Sequence, residues 1–240
     1  WKHLRAEGVS VDRYAEADGE VYVRVVYQCD WDGEHGFQIL LKHGTTTARS
    51  HCNIDPVSGL KSLEHLQQAL ADNTQTLSCE IVAFPQHGLL RSKVDGLMRE
   101  AMSLGVDYVG GLDPTNVDGD MVGSLDAMFQ IALDHDKGID IHLHESGASG
   151  QAAIAYMLDT VERTPELKSR LTISHAFALA NMDEATLDAT AERMQALGVT
   201  IASTVPIGVF SLSPRRSKAA RPACRSAAPP CRCRAFARRA

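Results

Sequence analysis

Short apolar runs rich in β-branched residues recur along the chain at nearly even intervals: TTTARSHC near 45, CEIVAFP near 79, DYVGGLDP near 107, IDIHLHE near 139, LTISHAF near 171 and TIASTVP near 199. Between them, GLKSLEHLQQALAD, KVDGLMREAMSLG, SLDAMFQIALDHDKG, GQAAIAYMLDTVE and DEATLDATAERMQALG place apolar residues three and four apart, and several close on glycine. The first pattern predicts buried strands and the second amphipathic helices. About six βα units therefore follow one another, which predicts an α/β protein with a parallel sheet. Near-equal repeats of about 30 residues favour an incomplete (β/α)8 barrel of the TIM type, with an open doubly wound sheet as the alternative. Neither GxGxxG nor GxxxxGK[ST] follows any strand, so the usual motive for an open nucleotide-binding sheet is missing.

The pattern divides the chain into an irregular N-terminal segment, 1–37, a partial barrel, 38–212, and a tail, 213–240. Within the first, EVYVRVVYQ alternates Val21, Val23, Val25 and Tyr27 as a strand does, where a barrel helix would be expected. The tail holds eight Arg, one Lys and no acid, so the rest of the chain is far more acidic than its net charge of −6 indicates. With four Pro, three Cys and no apolar period, the tail is expected to be disordered, and it resembles a GC-rich reading frame that has shifted near Ser213. Clustered Arg supplies phosphate contacts, but few aromatics accompany them and the body repels phosphate, so nucleic acid is an unlikely partner. No run reaches the roughly 20 apolar residues of a membrane span, no signal peptide opens the chain and the six Cys form no disulfide framework, so a cytoplasmic protein with reduced thiols is expected.

In a barrel, chemistry collects where strands end at the C-terminal mouth. Polar residues fall there repeatedly: His51, Gln86, Asp113, His142 to Glu145, and His175. On an extended strand Asp140, His142 and His144 share one face. Neutral imidazole is a common ligand of transition metals, and Glu145, just beyond, is placed to move a proton between a water and a leaving group.

In this order, HGTTTARSHCNIDP, EIVAFPQHGLL, VGGLDP, IDIHLHE and LTISHAFAL resemble the cytosine deaminase branch of the amidohydrolase superfamily of metal-dependent barrel hydrolases, over roughly 38–206. The resemblance implies one divalent iron or zinc ion and hydrolytic deamination of cytosine or a related cyclic amidine, a small nitrogen heterocycle. It implies that His142 is a metal ligand, that Glu145 is the acid/base for a ring nitrogen, that His175 hydrogen-bonds the attacking water and that Gln86 holds the amide edge of the ring. Asp113 would read a ring amino group or cap the helix that follows. His144 stands where cytosine deaminase has aspartate. The HxH pair of the family's first strand and the aspartate of its last are not found, which makes a chain shortened at both ends, and a defective or non-catalytic relative, the alternative to an active enzyme. Related barrels often assemble, so a homo-oligomer is a candidate arrangement.

Overall fold

The structure is a computed structural model that describes the backbone of residues 9–15, 21–27, 44–72 and 78–203, with side chains over 44–71 and 78–203. The tail read from the sequence, and most of the N-terminal segment, lie outside the described residues. Within that segment the valine alternation forms β2 (Val21–Tyr27), which pairs antiparallel with β1 (Val9–Ala15), Val9 opposite Tyr27 and Ala15 opposite Val21.

Six parallel strands form the second sheet: β3 (Thr47–Asn53), β4 (Ser78–Phe84), β5 (Tyr108–Leu112), β6 (Gly138–His142), β7 (Leu171–Ser174) and β8 (Thr200–Ala202). They stand side by side in chain order, each one hydrogen-bonded to the next. A doubly wound sheet would reverse direction at an internal strand. Uninterrupted order is that of a barrel wall, and the sheet is a curled half-barrel. Helices α1 (Lys61–Asp72), α2 (Asp95–Ser103), α3 (Met121–Asp134), α4 (Ala148–Arg163) and α5 (Glu184–Leu197) alternate with the strands. Their ends follow local chemistry. The Asp120 and Asp183 carboxylates accept the backbone N–H of Gly123 and Thr186 at the starts of α3 and α5, and Gly198 takes the left-handed turn, φ 67°, that stops α5.

The period of two along each strand divides the two faces of the sheet. Ile139, Ile141 and Leu143 point into the helix layer, with Ile81, Ala83, Val109, Leu171 and Ile173 from neighbouring strands. Met98, Leu125, Met128, Ile131, Ile154, Met157 and Leu158 meet them from the helices. Each fully buried aliphatic side chain contributes roughly 1.5–3 kcal/mol, so this layer sets the strands in place. The intervening positions, Arg49, His51, Asp140 and His142, are thereby left to the concave side.

Candidate active site

Two tiers of polar side chains occupy the concave face. The deeper tier is built on Asp140, whose side chain is 2% exposed. Arg49 Nη1 donates to Asp140 Oδ2 at 2.8 Å and to Thr172 Oγ1 at 3.3 Å, and Ser174 Oγ donates to Asp140 Oδ1 at 2.9 Å. Arg49 also donates through Nε to Glu80 Oε2 at 2.9 Å, Tyr108 OH donates to Glu80 Oε1 at 3.1 Å, and the guanidinium lies 3.9 Å over the Tyr108 ring. Burial pushes the Asp140 carboxyl up, but hydrogen bonds from His51, Arg49 and Ser174 outweigh it and hold the group below the usual carboxylate range.

The upper tier is a cluster of imidazoles at the strand ends. His51 Nε2 and His142 Nε2 stand 3.1 Å apart, and His51 Nε2 lies 3.6 Å from Asp140 Oδ1. The His175 ring stacks on His144 with centroids 4.5 Å apart and meets His142 edge-on at 5.0 Å. Phe84 and Phe177 flank the cluster. Burial, then repulsion from His51 and His175, lowers the His142 pKa to about 4. Burial, then His144, also depresses His175. Both rings are therefore neutral near pH 7 and keep a lone pair for a metal or a proton. A cavity of about 500 Å³ opens over them, lined by Arg49, His51, Asp140, His142, Ser174, His175, Ala202 and Ser203.

Past β6, Leu143 N–H still donates to the Ser174 carbonyl of β7 at 3.0 Å, and from His144 onward the backbone is held by Asp113. Asp113 Oδ1 accepts the backbone N–H of His144 at 2.6 Å and of Glu145 at 3.2 Å, and Oδ2 lies 2.9 Å from His144 Nδ1. His144 thus sits beyond the strand end, not on the extended segment with His142. Of the two roles read for Asp113, helix capping is not the one seen, because Asp120 is the N-cap of α3. Glu145 is 3% exposed. Its Oε1 accepts the backbone N–H of Thr115 and Asn116 at 2.9 and 2.8 Å, while Oε2 is buried with no hydrogen-bond partner, as is His175 Nδ1. A Cβ at Gly150 would stand 1.9 Å from the Glu145 carbonyl oxygen, so only glycine lets α4 start this close to Glu145. His175 and Asp113 both have left-handed backbone, φ 73° and 35°, a conformation that clusters at functional sites.

His142, His144, His175, Asp113 and Glu145 are therefore drawn into one contiguous group. Gln86 is exposed on the loop after β4 and is not part of the cavity wall. The sequence reading placed His51 at the rim but gave it no role, and it missed Arg49 and Ser174 altogether. Spacing of two from His51 to Arg49 was the available signal for Arg49.

The donors present fit a divalent metal. The ligand atoms of His51, Asp140 and His142 lie within 4.8 Å of one another, and so do those of His142, His144 and His175. Imidazole with carboxylate suits zinc or iron. The orphaned Glu145 Oε2 and His175 Nδ1 add two buried polar atoms in need of a partner.

Comparison with known proteins gives the same class. A family model described as a domain of unknown function, DUF6985, matches residues 1–56. The uncharacterized protein YahJ of Escherichia coli K12 is 54% identical over 213 residues, covering 88% of this chain and 46% of that protein. N-isopropylammelide isopropyl amidohydrolase of Pseudomonas sp. strain ADP is 33% identical over 157 residues, 65% of this chain and 38% of that one. Among solved structures, N-isopropylammelide isopropylaminohydrolase from Burkholderia multivorans superposes with a TM-score of 0.70 at 34% identity, over 75% of this chain and 49% of that one. A 5-methylcytosine deaminase from Klebsiella pneumoniae shares the fold with a TM-score of 0.57 at 24% identity, over 64% of this chain and 37% of that one.

Half-barrel, mouth cluster and these likenesses set the chain beside the barrel-forming amidohydrolases. The chain is similar to members of the amidohydrolase superfamily, in line with its ordered motifs, and spans less than half the length of the relatives it matches. No helix among the described residues is long and apolar enough to cross a membrane.

Proposed function

We propose that this chain carries the metal-holding wall of a hydrolase that removes an amine from a ring carbon of a small nitrogen heterocycle, cytosine or a related cyclic amidine. The observation that carries the reading is the convergence of His51, Asp140, His142 and His175 from three strand ends onto one cavity. His142, with His51 and Asp140 beside it, would hold a single iron or zinc ion. Such an ion supplies Lewis-acid polarisation and the acidification of water.

The remaining chemistry falls to the chain itself. Glu145 is anchored by two amide N–H groups through one oxygen, which leaves Oε2 to take a proton from the attacking water and deliver it to the ring nitrogen. His175, neutral at pH 7, orients that water. Asp113 fixes the ring of His144 at the mouth, where it stacks on His175, and Gln86, exposed on the loop after β4, would turn inward from outside the cavity wall to meet the amide edge of the heterocycle. Water then adds to the ring carbon, a second proton passes from the added hydroxyl through Glu145 to the exocyclic amine, and the C–N bond breaks, so that the amine leaves and a carbonyl beside the protonated ring nitrogen remains.

The test is amine release from cytosine and from N-isopropylammelide by the full chain, after loading with zinc or ferrous iron and after chelation. About one metal per chain and metal-dependent release are expected. Glu145→Gln should keep the metal and lose about 10²–10⁴-fold in kcat. A chain that takes up no metal and releases no amine is the non-catalytic relative instead.

A further inference from the structure

The loop between β5 and α3 does more than deliver Asp113. Over six residues it places three grips on three separate parts of the site. Asp113 holds His144, and the amides of Thr115 and Asn116 hold Glu145. Asp118 reaches in the opposite direction, to the loop after β4. Its carboxylate accepts the backbone N–H of Leu89 at 3.2 Å, Leu90 at 3.1 Å and Arg91 at 3.0 Å, with a fourth bond at 2.6 Å from Ser124 Oγ, a buried hydroxyl on α3.

Three consecutive amides on one carboxylate fix a backbone tightly, because charge-assisted bonds are shorter and stronger than neutral ones. Gln86 lies just ahead of this clamp. On its other side the turn is closed by Gln86 N–H to the Phe84 carbonyl at 3.1 Å and Gly88 N–H to the Pro85 carbonyl at 2.9 Å. Gly88 is the point of contact between the loops. Its φ is 90°, and a Cβ there would stand 2.2 Å from Asp118 Oδ1. The Gln86 turn is therefore seated on Asp118 with no room for a side chain between them.

The geometry points to Asp118 as a positioning residue for substrate selection: it locks the turn bearing Gln86 to the same bracket that fixes His144 and Glu145, so that the group reading the ring edge and the groups meeting its reacting end keep one spacing. This rests on the function proposed above, in which Gln86 touches the heterocycle. Asp118 itself need not touch substrate. Ligands whose amide edge and amine-bearing carbon match that spacing would be accepted, and a loosened bracket would broaden selection.

The experiment compares wild type, Asp118→Asn, Gly88→Ala and the double variant in the full chain by hydrogen exchange, metal content and steady-state kinetics on cytosine and N-isopropylammelide. Exchange at Leu89 to Arg91 should rise at least ~10-fold in Asp118→Asn, because the amides lose a charged acceptor, while segments 139–145 and 171–175 stay unchanged. KM should rise about 10-fold with kcat within about two-fold and metal content the same, the signature of lost ground-state binding. Gly88→Ala should do the same, and the double variant should be little worse than either single one, because both act on one contact.

Unchanged exchange at 89–91, or a parallel fall in kcat, metal content and melting temperature, would overturn the positioning role. If Asp118→Asn does not fold, Gly88→Ala decides by the same readouts. Failure of the wild type to release amine from either compound would sink the proposed activity alone. The clamp would then stand or fall on the exchange pattern.

Discussion

Replacing Arg49 by Met keeps a side chain of similar reach and removes the cation shared by Asp140 and Glu80. Asp140 is 2% exposed and would lose its 2.8 Å partner in a place water barely enters. Leaving a buried charge unpaired costs about 3–5 kcal/mol. Arg49 is 27% exposed and Glu80 44%, so solvent screens part of the loss and about 2–3 kcal/mol is a better expectation. For a unit of this size that is a fall of roughly 5–10 °C in melting temperature.

The pH dependence gives a sharper reading than the magnitude. In the wild type the Asp140 carboxyl lies below its usual range, so its stabilising contribution is complete above the unfolded value of about 3.9 and is lost as pH falls through the lower folded value. Without Arg49, burial is opposed by fewer bonds and the folded value rises. The stability gap between wild type and Arg49→Met should therefore be widest at pH 6–8 and narrow as the pH drops below about 4. Urea titrations at pH 7 and pH 4 measure it. A gap under about 1 kcal/mol at pH 7, or one independent of pH, would refute the view that Arg49 is there to hold Asp140. Adding Asp140→Asn to Arg49→Met should restore part of the loss, because no buried charge then remains unpaired.

Three further outcomes are expected. His51→Ala and His142→Ala should each weaken zinc binding by more than the ~10–100-fold typical of a residue one step removed from a metal, measured by competition with a chromophoric chelator; equal affinity in His51→Ala would leave His51 outside the ligand set. Gly150→Ala should destabilise by about 1–3 kcal/mol in urea unfolding, because the new methyl must displace the Glu145 carbonyl or the start of α4. Leu143→Ala, at a fully buried position next to His142, should cost about 2–5 kcal/mol in the same measurement, with metal affinity little changed once the protein is folded.

The barrel wall was legible because each unit carries its own period. Ile139 and Ile141 alternate with Asp140 and His142, and that alternation already assigns one pair to the helices and the other to the cavity. Contacts between units were not legible in the same way. Nothing within a strand says that Arg49 meets Asp140, 91 residues later, because that meeting depends on the curl and stagger of the two intervening strands, β4 and β5. The same holds for His51 and His142, 3.1 Å apart across the concave face. His144 shows the limit of periodicity itself. The period of two puts it beside His142, but the strand ends at His142 and Asp113, from another loop, captures the backbone beyond. The grip of Thr115 and Asn116 on Glu145 is made by backbone amides, which any sequence possesses, so no residue type announced it.

The backbone at His175 and Ala176, with φ of 73° and 47°, has a consequence for how this site can change over generations. Two successive left-handed residues admit few side chains: glycine freely, asparagine and aspartate with little penalty, β-branched residues hardly at all. Mutations reaching position 175 are thus sorted by the main chain before chemistry is tried. Those that survive are either bare or carry another short polar group, so inheritance at this corner of the mouth samples alternative hydrogen-bonding groups far more readily than greasy ones.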